Sequence, residues 1–340
     1  MLTHLQEHLE QAGLHGPFLI VSQPRIFKAI GRNIAKRFPV ILIPDGERAK
    51  TLNTAGRLLD RVAAAGMTRQ STLIALGGGV VGDVTGFVAS IYMRGIAVVQ
   101  VPTTLLAQVD SSIGGKTGVN HHSVKNLVGT FYQPSLVLSD PLPLKFLSDR
   151  EYCSGLYESL KYGVISDPGL FDSFVTHIDL LLRRDPDAME SMVARCAEIK
   201  AGIVSADERE GDLRRVLNLG HTVGHALESA ANFRRLKHGE AVGYGMMAAA
   251  RISAELGRMS RPDAVKVESA VRSIGGLPSL EGTKMIPFVK ALQQDKKVRD
   301  GAIHFILPRE IGRVEITRDV PLSLVRKTVA ALIHESKTRR

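Results

Sequence analysis

The chain has no tryptophan, and aromatic residues make up only 5% of its 340 positions. Proteins that hold single-stranded nucleic acid stack bases on aromatic side chains, so this scarcity argues against that class. Cysteine is equally sparse. Cys153 and Cys196 are the only two, too few for a disulfide framework and too far apart for a C-x-x-C site. No run of about 18 apolar residues occurs, which excludes a transmembrane helix. The opening stretch MLTHLQEHLEQAG is too polar for a secretory signal, so a cytoplasmic protein is expected. Negative charge is also in deficit: the net charge is +10. The lysines and arginines are spread along the chain, apart from the closing KTRR. Such a balance suits a small phosphorylated partner rather than nucleic acid or a membrane surface.

What is present points to two domains, because a single core rarely grows beyond about 250–300 residues. The runs FLIVS (18–22), VILIPD (40–45), TLIAL (72–76), IAVVQVP (96–102) and SLVLSD (135–140) are continuously apolar. Helical patterns lie between most of them, near 48–66 and 80–93 among others. Apolar runs alternating with helices predict a mainly parallel sheet covered on both faces. After about residue 150 the pattern becomes mostly helical, interrupted by IHFILP and RVEIT. The expected architecture is an α/β domain over 1–150 followed by a helical domain over 151–340.

Four stretches carry chemistry. In TLIALGGGVVGDVTGF, Gly77, Gly79 and Gly82 satisfy G-x-G-x-x-G between a strand and a helix, where free N–H groups can meet a pyrophosphate. The motif departs from the usual dinucleotide fingerprint: it follows a later strand, and no acidic residue sits about 20 positions on. PDGERAK, with Asp45, Glu47 and Lys50, ends another strand. It reads equally as a ribose-binding turn or as a helix cap. The segment 101–131 is dense in donors: Thr103, Thr104, Asp110, Ser111, Ser112, Lys116, Asn120, Lys125 and Asn126. Its GGKT ending is not a P-loop, because Asp110 stands where that frame needs its first glycine.

The fourth stretch is NLGHTVGHALE. His221 and His225 are four apart on one helical face, and His238 follows in LKHGEAVGYG. A catalytic zinc takes three protein ligands and leaves a position open. Two histidines and a carboxylate fit, but spacing leaves the third ligand open among His225, Glu158, Glu240 and Asp110. Glu158 and Lys161 share a helix face at i, i+3.

These stretches, together with YMRG, VPTTLLAQVDSSIGGKTGVN, KNLVGTF, SGLYESLKYG and ADEREGDLRRVLNLGHTVGHALE, resemble the 3-dehydroquinate synthase group of the sugar phosphate cyclases over nearly the whole length. The resemblance implies a nucleotide-binding α/β domain followed by a helical metal-binding domain. It implies the second step of the shikimate pathway, on the way to chorismate and the aromatic amino acids. That step is a lyase reaction in which DAHP, a seven-carbon sugar acid phosphate, becomes 3-dehydroquinate and phosphate. It implies NAD+ held by Asp45, Glu47, Lys50, Gly78, Gly79, Asp83, Thr103 and Thr104, with Lys116 and Lys125 close by. It implies a divalent ion, Zn2+ or Co2+, on Glu158, His221 and His238. Substrate binding and proton transfer fall to Asp110, Lys116, Lys125, Asn126, Lys161, Lys200, Arg214, Asn218 and His225, with one of Lys296 and Lys297 at the phosphate. Arg94 is implied to reach a neighbouring subunit's substrate in a homodimer. The alternatives are a sister sugar phosphate cyclase or a metal-dependent alcohol or glycerol dehydrogenase. Four positions depart from the family's usual residues: Gln23, Pro141, Phe146 and Tyr157.

Overall fold

The computed structural model describes residues 4–31, 37–122, 124–230, 235–294, 298–299 and 302–337. The chain divides into two compact units, residues 1–147 and 148–340.

The first unit is built on a parallel five-stranded sheet. Its strands are β1 (Phe18–Ser22), β2 (Val40–Leu42), β3 (Thr72–Gly77), β4 (Ala97–Pro102) and β7 (Leu136–Val137). Their spatial order is β2-β1-β3-β4-β7. Because successive side chains of a strand point to opposite faces, both faces of these apolar strands need cover. Leu19, Val21, Leu73, Ala75 and Val98 pack with Leu58 and Val62 of helix Leu52–Ala64 and with Val84 and Val88 of helix Gly79–Ile91. Ile20, Ile74, Leu76, Val99 and Val101 face the other way, onto Leu5 and Leu9. The strand order explains why the glycine motif follows β3 rather than β1. In a 2-1-3-4-5 sheet the order reverses between the first and third strands, and ligands bind beyond the strand ends at that point.

Part of the polar segment is a hairpin that the density of donors hid. β5 (Lys116–His121) pairs antiparallel with β6 (Val124–Phe131). Thr117 and Thr130 share a hydroxyl contact of 2.9 Å across the pair, and Thr130 donates to Ser90 of the glycine-led helix. β-Branched residues on one face of the ribbon therefore fasten it to that helix.

The second unit is mostly helical, with one antiparallel pair, Phe305–Glu310 and Arg313–Thr317. Its helices start where short polar residues can cap them. Ser148, Asp167, Asp185 and Ser260 each accept a backbone N–H of the first turn. Helix His238–Glu255 is the buried axis, with Val242, Met247, Ala248, Ala250 and Ile252 fully enclosed. Helices Asp149–Ser166, His221–Ala230, Arg261–Ile274 and Leu322–Lys337 pack around it. Glycines let two neighbours touch this axis backbone to backbone. A Cβ on Gly239 would lie 1.9 Å from the Ser154 carbonyl oxygen, and one on Gly245 would lie 1.8 Å from that of Gly220. Among the described residues, no helix is long and apolar enough to cross a membrane.

Candidate active site

The residues expected to meet a nucleotide gather at the carboxyl ends of β2, β3 and β4. Gly78 stands at the N-cap of helix Gly79–Ile91 without a side chain to cap it, so the helix start can turn backbone N–H groups toward an anion. The third glycine of the motif serves packing: a Cβ on Gly82 would stand 2.6 Å from Oε1 of Gln100 on β4. Buried Lys50 forms an ion pair with Asp83 of the same helix. Thr103 donates its N–H to the Gly77 carbonyl at 3.0 Å, and Thr104 follows at the end of β4.

The turn PDGERAK is not a helix cap. Thr51 caps the following helix by accepting from the Thr54 amide, while Asp45 accepts from the Arg25 amide at 3.3 Å. Glu47 accepts from the side-chain amide of Asn120 at 2.9 Å, and Asn120 in turn accepts from the Asn126 amide. Asn126 has a left-handed φ of 52°. Asn120, to which the sequence reading gave no role, therefore ties the hairpin to the acidic turn. Lys116 and Lys125 are exposed on the hairpin strands, and Asp110 sits in the short π-helix Ala107–Ser111. Arg94 is exposed and left-handed at φ 69°, beside Met93 at φ 48°.

Three of the four departures have local partners. Gln23 donates to the Pro44 carbonyl at 2.8 Å. Pro141 starts the helical turn Leu142–Phe146, and its carbonyl accepts from the Leu144 amide at 3.0 Å. Tyr157 is a core anchor: its ring faces Gly243, and its hydroxyl donates to the Gly275 carbonyl. Phe146 is 67% exposed, and nothing among the described contacts explains it.

In the second unit, three helices place titratable groups together. Helix Asp149–Ser166 carries Glu158 and Lys161, both enclosed, with Lys161 Nζ 2.5 Å from Glu158 Oε2. The other carboxylate oxygen, Oε1, lies 3.2 Å from His238 Nε2 and 3.7 Å from His221 Nε2. His221, His225 and His238 offer ring nitrogens within 4.8 Å of one another. Ring centroids are 5.0 Å apart for His221 and His238, 5.3 Å for His221 and His225, and 5.7 Å for His225 and His238.

The outer nitrogens of the two imidazoles nearest Glu158 are also held. His221 Nδ1 faces the Leu219 carbonyl at 3.1 Å, and His238 Nδ1 faces Glu228 Oε2 at 3.4 Å. Burial alone would push the His238 imidazolium down, but hydrogen bonds and charge from Glu158 and Glu228 prevail and raise it to about 10. The pocket thus stabilises positive charge.

This donor set fits a divalent ion. Two ligands at about 2.1 Å from a tetrahedral zinc stand about 3.4 Å apart, close to the carboxylate–imidazole separations here. Of the other carboxylates considered, Glu240 is taken up elsewhere. It receives Arg150 at 2.5 and 2.8 Å and the Lys237 amide at 2.7 Å, closing a helix cap. Asp110 belongs to the first unit.

Lys200, Arg214 and Asn218 lie on neighbouring elements of the second unit. Lys200 is buried one turn beyond Cys196, whose thiol reaches the Ser159 carbonyl on the Glu158 helix. Arg214 is buried and donates to the Glu208 carbonyl at 2.6 Å. Its amide, with those of Gly211 and Asp212, is received by Asp207. These backbone N–H groups hold the Asp207 carboxyl below the usual range. Asn218 donates to Glu210 at 3.2 Å. Lys296 and Lys297 lie outside the described residues.

Comparison with known proteins identifies the fold. The profile described as 3-dehydroquinate synthase N-terminal matches residues 40–154, and the one described as 3-dehydroquinate synthase C-terminal matches 155–298. The chain belongs to the 3-dehydroquinate synthase family. The 3-dehydroquinate synthase of Nostoc sp. is 47% identical over 339 residues, covering 96% of this chain and 93% of that protein. Among solved structures, 2-epi-5-epi-valiolone synthase from Streptomyces hygroscopicus, with NAD+ and Zn2+ bound, superposes with a TM-score of 0.87 at 31% identity. That match covers 95% of this chain and 92% of that one. A 2-deoxy-scyllo-inosose synthase in complex with carbaglucose-6-phosphate, NAD+ and Co2+ gives 0.85 at 28% identity, covering 96% and 94%. A chain described as a probable glycerol dehydrogenase from Sinorhizobium meliloti 1021, 14% identical with a TM-score of 0.68, shares the fold alone.

Proposed function

We propose that this enzyme carries out the 3-dehydroquinate synthase reaction with Glu158, His221 and His238 as its metal ligands. The reaction converts DAHP to 3-dehydroquinate and phosphate by transient oxidation, phosphate elimination, re-reduction, ring opening and intramolecular aldol closure. It is the second step of the shikimate pathway. The observation that carries the reading is the approach of one buried carboxylate oxygen to two imidazole nitrogens, in a chain 47% identical to a 3-dehydroquinate synthase.

When bound, the divalent ion would supply polarisation of a substrate hydroxyl, and NAD+ would supply hydride acceptance and return. The chain's own residues then do the rest. Lys161, Lys200, Arg214 and Asn218 bind and orient a polyanion from the helical unit. Lys116, Lys125 and Asn126 offer donors to a polyanion's oxygens, and Asp110 offers an acceptor to a substrate hydroxyl. Charged donors of these types match carboxylate and phosphate oxygens. Lys161 also holds the distal oxygen of Glu158, leaving Oε1 to face the histidines. His225 holds or passes a proton at its ring nitrogen, beside the ligand pair. Asp45, Glu47, Lys50, Gly78, Gly79, Asp83, Thr103 and Thr104 cradle the dinucleotide at the switch point. The region 1–150 is accordingly the NAD-binding domain, and 151–340 the metal- and substrate-binding domain. Holding one conformer and excluding water accounts for much of the acceleration in such a multistep path.

Two finer readings belong here. The enzyme works as a homodimer in which exposed Arg94 reaches the partner's substrate, and it acts in the cytoplasm. The test of function is phosphate release from DAHP, with and without NAD+ and with a chelator. Release that requires both NAD+ and the metal supports the reading, and no release under any condition overturns it.

A further inference from the structure

Glu228 ends the stretch that begins with His221. The two residues and His225 fall at i, i+4 and i+7, so all three lie along one face of helix His221–Ala230. Glu228 is buried at 6% exposure, an expensive place for a carboxylate unless something receives it. It lies 3.4 Å from His238 Nδ1, while the opposite nitrogen of the same ring points to Glu158 Oε1 at 3.2 Å. The ring is therefore gripped at both ends. A carboxylate on the outer nitrogen fixes the tautomer that leaves Nε2 free to ligate, and it raises the basicity of that nitrogen. His221 receives the weaker equivalent from the Leu219 carbonyl.

We propose that Glu228 is a positioning residue that orients His238 for metal binding. The inference rests on the reading of Glu158, His221 and His238 as the ligand set.

The test compares wild type with Glu228→Gln, which preserves shape and removes charge. Zinc affinity is read by competition with a chromophoric chelator, together with melting of the metal-free proteins and turnover at saturating metal. The expected result is an affinity loss of about ten- to a hundred-fold. The metal-free melting temperature should stay unchanged, and turnover should return as metal is raised. An affinity within two-fold of wild type would overturn the proposal. So would a metal-free protein that melts early and binds poorly without recovery at high metal, because that marks a structural role. If Glu228→Gln does not fold, Glu228→Asp keeps the charge and shortens the reach, and the same outcomes apply. Failure of both variants to fold also overturns the positioning role. If wild type itself takes up no zinc, the ligand reading falls along with this inference. That outcome is distinct from a wild type that binds and a variant that binds equally well.

Discussion

Glu158 Oε1 stands 3.2 Å from His238 Nε2, although the two side chains come from separate helices. The same oxygen is 3.7 Å from His221 Nε2 on a third helix. Three helix packings therefore determine whether a metal can be held, and each can be tested separately.

Replacing a ligand should remove metal and activity together. His221→Ala and Glu158→Gln are each expected to purify with little bound ion and to release no phosphate from DAHP. Elemental analysis of the purified variants checks this, and full occupancy in His221→Ala would remove that residue from the ligand set.

His225→Ala should behave differently. Its ring lies 5.3 Å from that of His221, so it is a neighbour of the ligand pair. The variant is expected to keep its metal while turnover falls about 10²- to 10⁴-fold, the usual scale for loss of a positioned acid–base group. Metal content and kcat measured on one sample decide the matter; loss of the ion would make His225 a ligand.

Gly239 follows His238 directly, and its Cα lies against the Ser154 carbonyl. Gly239→Ala should push the helix start off its neighbour and carry His238 with it. A stability loss of about 1–3 kcal/mol is expected, the usual range for overpacking. Metal affinity should fall as well. Thermal melting with and without zinc measures both, and an unshifted melting curve would refute the close-packing argument.

Asp207 gives a pH-dependent expectation. The backbone N–H groups of Arg214, Gly211 and Asp212 hold its carboxyl low, so the ionised form is the one that orders the loop. A depressed carboxyl contributes fully above its unfolded value of about 3.9 and loses that contribution as pH falls through the folded value. Hydrogen exchange at Gly211, Asp212 and Arg214 should therefore be protected near neutrality and lose its extra protection in acid. In Asp207→Asn the extra protection should be absent at neutral pH. Equal protection in variant and wild type would show that the carboxylate does not order this loop.

Much of the site was legible from local pattern. The apolar runs marked β1, β3 and β4, because strands buried on both faces carry little else. Spacing places His221 and His225 on one helical face, and i, i+7 places Glu228 there too. The hairpin Lys116–Phe131 was obscured because its glycines, lysines and asparagines resemble a loop. The sense of the glycine motif also stayed hidden, since nothing local to residues 77–82 says that β3 lies at the reversal of strand order.

By itself, the sequence determined the periodicities, the helix caps and the donor types, because these depend on residues within a turn or two of each other. Only the tertiary structure decided which donors meet. Glu240 carries the same carboxylate as Glu158, yet Arg150 and the Lys237 amide occupy it. Glu158 is turned toward two imidazoles because glycines let its helix and that of His221 press against the His238 helix. Such a meeting depends on close packing between segments far apart in the chain, and no local spacing encodes it.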